Sequence, residues 1–480
     1  MREFSQDTIV APATAAGAAG LAVVRLSGPA ALEIGARLFC GQDDLRTSAS
    51  HRAHYGWAVD ASAQRIDEVL ALVLRAPRSY TGEDTVEFSC HGSVQVVEEL
   101  VAAALAAGAR LAEPGEFTRR AFQNGRIDLC QAEAVADLVA AHSQAARRGA
   151  LEQLRGRLSA RVHSVRDALL DLLGDLEAGI DFVEEGIEFV APETATARAA
   201  RAAADIDALL ATARDGEMLR SGVRASLAGA PNVGKSSLFN RLLQSDRSIV
   251  TEHPGTTRDV VREMLHVGGL ALVLEDTAGL RPTSADPVER LGIERSRKSH
   301  AEADIVLHVL DASRPLLPEE REALASLDPE AALVVLNKID LLEEPERSAL
   351  ERVPQAAAAR IAGAEHGAGE HAPPLRCLAV SAATGAGVDA IGTALAELGA
   401  LRRLALQNDA VVTIGLRHRE ALLRARGALG EFAADVAAEE PPEILAVSLR
   451  VAVTALGEVA GENVTEEILA RVFARFCIGK

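Results

Sequence analysis

The chain has 480 residues, 48% hydrophobic and 25% charged, with a formal net charge of −19 at pH 7. Its length predicts about three domains, and the lack of any charge-free apolar run of about 18 residues argues against a membrane span. The acidic balance argues against non-specific coating of nucleic acid, the scattered Cys40, Cys90, Cys130, Cys377 and Cys477 argue against a disulfide framework or zinc site, and with no signal-like apolar stretch near Met1 a cytoplasmic protein is expected.

Residues 1–125 read as mixed α/β. Strand patterns cover 7–11, 21–27, 69–74 and 85–90, and a helix covers 93–107 until Gly108 ends it. Arg25 and Glu87 fall inside these strand patterns. Either they alternate out to solvent, or both face a polar ligand in a pocket. From 128 to 221 apolar residues recur at three- and four-residue spacing, which predicts long helices suited to a bundle.

Residues 229–237 read Gly-Ala-Pro-Asn-Val-Gly-Lys-Ser-Ser, between a short apolar strand and a helix start. This is the spacing of a phosphate-binding loop. Glycines let successive backbone N–H groups turn towards phosphate oxygens, and the following helix presents its positive end to the same anion. Lys235 would reach the β- and γ-phosphates and Ser236 would ligate Mg²⁺. The remaining contacts of the loop fall on Asn232, Val233, Gly234 and Ser237. The Asn232 side chain either ligates a monovalent cation beside the phosphates or only makes a turn.

Apolar strands at 270–276, 305–311, 332–337 and 378–381 alternate with helices, which predicts a parallel-rich sheet covered on both faces. Their ends carry the further motifs of a guanine-nucleotide switch, in order. Thr257, in Gly255-Thr-Thr-Arg-Asp, would complete the Mg²⁺ shell. Asp276-Thr277-Ala278-Gly279 would hold a Mg²⁺ water and the γ-phosphate. In Asn337-Lys338-Ile339-Asp340 the aspartate can accept from guanine N1–H and N2–H, a donor pair that adenine lacks, while Asn337 and Lys338 meet the ring edge. Ser381-Ala382-Ala383 would offer a backbone N–H to guanine O6. Leu280 stands where a water-positioning glutamine is usual, so Asp286, Glu289 or Arg290 must orient the attacking water if hydrolysis is to proceed.

Only four lysines occur, Lys235, Lys298, Lys338 and Lys480, in a chain with 50 basic residues. Two of the four lie in nucleotide motifs, where a compact ammonium is not replaceable by a flat guanidinium. Residues 343–374 hold an Ala/Gly/Glu/Pro-rich surface insertion, and 405–480 return to helix. The simplest architecture inserts the sheet domain, 222–400, into a helical domain built from 126–221 and 405–480.

These motifs, with both flanks, resemble the MnmE (TrmE) family of tRNA-modifying GTPases. The flanking stretches that carry the resemblance are Leu26-Ser-Gly, Tyr80-Thr-Gly-Glu-Asp, His91-Gly, Pro114-Gly-Glu-Phe-Thr-Arg-Arg, Asp128-Leu-Cys-Gln-Ala-Glu-Ala and Phe476-Cys-Ile-Gly-Lys. The resemblance implies an N-terminal folate-binding-type domain that dimerises, a central helical domain and an inserted Ras-like P-loop domain. It implies that Arg25, Glu87, Arg126 and Lys480 contact a 5-formyltetrahydrofolate or related folate. Arg126 stands where relatives commonly have lysine. It implies K⁺-dependent pairing of GTPase domains through Asn232 and the loop Thr251-Glu252-His253-Pro254-Gly255-Thr256, with Thr251, His253 and Thr256 as K⁺ ligands and Glu289 orienting the water. His253 and Pro254 replace the small or apolar residues usual there. It further implies a homodimer that joins the flavoprotein MnmG in a heterotetramer and modifies C5 of the wobble uridine of certain tRNAs. The charge of −19 suggests that the partner makes most of the tRNA contact. Cys477 matches a family cysteine, and a buried structural thiol is expected for it. The competing reading is a regulatory or ribosome-assembly GTPase without one-carbon chemistry; a folate pocket would be of no use to it.

Overall fold

The computed structural model describes residues 7–181, 190–245, 262–275, 303–352, 375–398, 401 and 414–479. The chain divides into two compact units, one formed by 1–139, 153–207 and 420–480, the other by 140–152 and 208–419.

The first unit is organised on a sheet of β1 (Ile9–Pro12), β2 (Ala19–Ser27), β3 (Phe39–Gly41), β4 (Arg52–Val59), β5 (Arg65–Leu74), β6 (Thr85–Gly92) and β7 (Arg110–Leu111), in the order β3-β4-β5-β6-β2-β1-β7. All pairings are antiparallel except β1 with β7. Alternate residues such as Val24, Ala71 and Phe88 enter one core with Ile34 and Leu100 from the helices Ala31–Arg37 and Val94–Ala106. Burial of a side chain such as Phe88 contributes roughly 1.5–3 kcal/mol. The opposite face is open and leaves Leu21, Tyr55 and Leu70 exposed. Strands β3, β4 and β7 are absent from the sequence reading. In β4 a central glycine reads as a strand breaker, but a Cβ on Gly56 would stand 2.6 Å from the Cys40 carbonyl oxygen. Glycine is what allows β3 to approach.

The same unit holds the helices Leu129–Val139, Arg157–Asp181, Pro442–Ala460 and Glu466–Phe473. Arg157–Asp181 and Pro442–Ala460 pack along each other, and Leu129, Ala132 and Val135 share a core with Leu469, Val472 and Phe476. The segment after Phe473 then lies on the first strand. Gly115 (φ +70°) passes 2.7 Å, measured to a would-be Cβ, from the Phe473 oxygen, and Gly479 (φ +97°) passes 1.8 Å from the Pro12 oxygen on the same measure. Phe476 takes the buried place on this segment, and Cys477 is exposed. The expectation of a buried thiol is therefore corrected.

Beneath the sheet's edge lies an ion cluster. Arg120 and Glu116, 2% and 3% exposed, pair at 3.0 Å, and Arg120 also binds Asp7 at 2.6 Å and Glu83 at 3.2 Å. Arg110 binds Glu116 at 2.6 Å and Asp7 at 2.7 Å. Burial pushes the Glu116 carboxyl up, but bonds from Arg110, the Glu113 N–H and Arg120 outweigh it and hold the group below its usual range.

The second unit carries β8 (Val223–Ala228), β9 (Arg262–Val267), β10 (Leu270–Glu275), β11 (Ile305–Asp311), β12 (Ala332–Asn337) and β13 (Arg376–Ala379), ordered β13-β12-β11-β8-β10-β9. Every pairing is parallel except the edge pair β9–β10. Leu333 and Val335 enter one core and Val334 and Leu336 another. With a side-chain period of two, that division shows a sheet covered on both faces.

Candidate functional site

In parallel sheets ligands sit beyond the carboxyl ends of the strands. The ends of β8, β11, β12 and β13 bring most of the described nucleotide motifs together. After β8 the chain turns through Gly229 (φ +136°), Asn232 (φ +64°) and Gly234 (φ +97°) into the helix Lys235–Ser245. A Cβ on Gly229 would lie 2.1 Å from the Val309 oxygen, and one on Gly234 2.2 Å from Asn337 Nδ2, so both positions need glycine. Lys235 Nζ donates to the Gly229 and Ala230 oxygens at 2.9 and 2.8 Å, which arches the loop around the helix N-terminus. Ser236 and Ser237 form the first turn of that helix. Val233 is buried and anchors the loop in the core.

The end of β12 carries the second motif. Asn337 is 2% exposed. Its Nδ2 donates to the Val233 oxygen at 2.8 Å, and its Oδ1 accepts the Ala382 N–H at 2.9 Å. The amide therefore ties the phosphate loop to the loop after β13, a role beyond the ring-edge contact read from sequence. Lys338 takes a left-handed φ of +67°, and its Nζ pairs with Asp311 Oδ2 at 2.6 Å. Burial raises the Asp311 carboxyl, but Lys338 and Ser313 pull it below its ordinary value. Ile339 is buried. Asp340 Oδ1 accepts the Ser381 hydroxyl at 2.5 Å, and Ser381 Oγ in turn accepts the Thr384 N–H at 3.1 Å. Ala382 and Ala383 present their carbonyl oxygens to Arg241, Nε at 3.1 Å and Nη2 at 2.6 Å.

Asp311 and Arg241 are absent from the sequence reading. An acidic residue closing a buried parallel strand was the available signal for Asp311; Arg241 binds backbone only and leaves none. Thr251, Glu252, His253, Pro254, Gly255, Thr256, Thr257, Asp276, Thr277, Ala278, Gly279, Glu289 and Lys480 lie outside the described residues.

In the first unit, Arg25 on β2 faces Glu87 on β6, Nε to Oε1 2.7 Å, with side chains only 16% and 19% exposed. Of the two readings left open, free solvent exposure is excluded. The Arg25 guanidinium sits 5.3 Å from the centre of the Tyr80 ring and 5.5 Å from that of Phe117. Arg126 lies 5.3 Å from the same tyrosine ring and donates to its carbonyl oxygen at 2.6 Å. Thr118 hydrogen-bonds the Tyr80 hydroxyl at 2.9 Å. The structure thus gathers Arg25, Glu87 and Arg126 around Tyr80. Tyr80, Phe117 and Thr118 stand inside stretches quoted for the family resemblance without being assigned a role there.

Among the described residues no helix is long and apolar enough to cross a membrane. The family profile described as the MnmE helical domain matches residues 129–477, and that of the GTP-binding protein TrmE N-terminus matches 8–126. Three proteins named tRNA modification GTPase MnmE are similar along their length. That of Symbiobacterium thermophilum is 45% identical over 99% of this chain and 100% of its own. Those of Syntrophotalea carbinolica and Geobacter metallireducens are 43% and 42% identical, each over 99% of this chain and 100% of its own.

Proposed function

The chain belongs to the MnmE family of tRNA modification GTPases, and from that premise we propose that it binds Mg²⁺ and GTP and hydrolyses the nucleotide while modifying tRNA. The observation that carries this reading is the Asn337 amide, which joins the phosphate loop to the Ser381–Ala383 loop through bonds of 2.8 and 2.9 Å. One rigid frame can then hold a triphosphate at one end and a purine at the other. Asp340, oriented by the Ser381 hydroxyl, accepts guanine N1–H and N2–H. Lys235 lies at the phosphates, and Ser236 with Thr257 would hold Mg²⁺, the cation supplying charge stabilisation to the transferred phosphoryl group. Glu289 orients the attacking water in the place left by Leu280. Asn232, with Thr251, His253 and Thr256, would hold K⁺; its left-handed backbone lifts the residue out of the loop at the phosphate edge.

The finer chemistry extends the same reading. Arg25, Glu87 and Arg126, stacked on Tyr80 and Phe117, offer the flat aromatic and cationic surface that suits a pteridine ring and a glutamate carboxylate. Lys480 would join them from the segment held at Pro12. The folate supplies the one-carbon unit for C5 of the wobble uridine at position 34, leaving a carboxymethylaminomethyl or aminomethyl group. The flavoprotein MnmG is the partner and makes most of the tRNA contact. The exposed Leu21, Tyr55 and Leu70 on the open sheet face support a homodimer.

The test is GTP turnover in K⁺ against Na⁺, for the native protein and Glu289→Ala. Stimulation by K⁺ that the variant loses is the expected result. Equal slow turnover in both salts would remove the cation from the mechanism and favour a regulatory GTPase.

A further inference from the structure

We propose that Arg241 is a specificity-positioning residue, whose guanidinium fixes the orientation of the backbone donors that read guanine O6. The inference rests on the guanine-site reading above and deepens it. Arg241 lies on the helix Lys235–Ser245, whose first residue is the phosphate-loop lysine. Its Nε and Nη2 reach across 141 and 142 positions of sequence to the carbonyl oxygens of Ala382 and Ala383, at 3.1 and 2.6 Å.

A trans peptide is planar, so the carbonyl of one residue and the N–H of the next point in opposite directions. Holding the Ala382 oxygen therefore aims the Ala383 N–H away from Arg241. Holding the Ala383 oxygen aims the Thr384 N–H, which reaches Ser381 Oγ at 3.1 Å, and that hydroxyl donates to Asp340 at 2.5 Å. The peptide before them is set by Asn337, which accepts the Ala382 N–H at 2.9 Å. Three consecutive peptide planes are thus pinned, two of them by one guanidinium. The fork geometry matters: two carbonyls at fixed spacing match two guanidinium N–H vectors, whereas an ammonium satisfies one such pair less well. Gly385 (φ +89°) lies next to the fork, 3.8 Å from Arg241 Cζ at its would-be Cβ. The same helix that ends at the phosphates therefore also sets the base-reading loop.

The test uses the full chain and variants Arg241→Ala and Arg241→Lys, with GDP and 6-thio-GDP, whose sulfur is a poor acceptor, as probes. Arg241→Ala should weaken GDP binding about tenfold, the worth of one hydrogen bond at the base. It should leave 6-thio-GDP binding nearly unchanged, so the preference between the two probes collapses. KM for GTP should rise in step while kcat stays within about twofold, since the phosphate contacts remain. Arg241→Lys should restore part of the preference. A preference unchanged in Arg241→Ala would overturn the proposal and leave the guanine site standing. Equal loss of both probes together with kcat would show a merely structural role and overturn it too. Should the native protein bind ADP as tightly as GDP, the guanine-site reading itself fails.

Discussion

Arg25 and Glu87 stand directly opposite each other on neighbouring antiparallel strands and close a 2.7 Å ion pair between two aromatic rings. Neither charge can be removed without stranding the other in a half-buried place. Arg25→Ala should abolish binding of a tetrahydrofolate derivative, measured by calorimetry, and lower stability by about 1–3 kcal/mol. GTP turnover should be untouched. Glu87→Gln, which keeps the shape and one acceptor, should cost less stability than Arg25→Ala.

Asp340 accepts the Ser381 hydroxyl on Oδ1, leaving Oδ2 and the remaining lone pair of Oδ1 towards the base. Asparagine at this position would offer a donor where the carboxylate accepts. Asp340→Asn should move the preference of turnover from GTP to XTP by at least about a hundredfold, because a buried mismatched donor is worth several kcal/mol. Competition kinetics with the two nucleotides measure it; an unchanged preference would remove Asp340 from base reading.

The ion cluster sets a pH dependence. Glu116 has its carboxyl held below the ordinary range by Arg110, Glu113 N–H and Arg120 in spite of burial. Its stabilisation is therefore full above the usual glutamate titration and is lost as pH falls through the lowered folded value. Melting temperature should drop on acidification. Arg120→Met, which leaves Glu116 buried without one partner, should cost about 3–5 kcal/mol at neutral pH and flatten that acid slope. Asp7 titrates in the same direction, but its side chain is 44% exposed and solvent screening leaves it a minor contributor.

Gly479 has no room for a methyl group, its would-be Cβ lying 1.8 Å from the Pro12 oxygen. Gly479→Ala should lift the segment that carries Lys480 off the first strand. Folate binding should fall about as far as in Lys480→Ala, with roughly the loss of one charge-assisted contact. Melting temperature should barely change, since the Phe476 anchor is kept.

What the sequence disclosed follows from how each contact is made. The phosphate loop was legible because glycine, lysine and serine at fixed spacing are the only residue types that perform its task. The two charges in apolar strands, Arg25 and Glu87, announced themselves by type, but their register lay in a pairing of residues 62 apart. Arg241 was invisible, since its partners are carbonyl oxygens that any residue carries. Strand β4 was hidden because Gly56, needed for the close approach of its neighbour, reads locally as a break.

The packing of residues 464–479 onto the first unit has a consequence for synthesis. Arg119 bonds Glu466 at 2.9 Å across 347 positions, and Cys130 Sγ donates to the Val459 oxygen across 329. A nascent chain builds its β1–β7 sheet early, yet the helix Leu129–Val139 keeps a bare apolar flank while the whole second unit emerges from the ribosome. Translation at about 5–20 residues per second makes that wait tens of seconds, long enough to call for a chaperone.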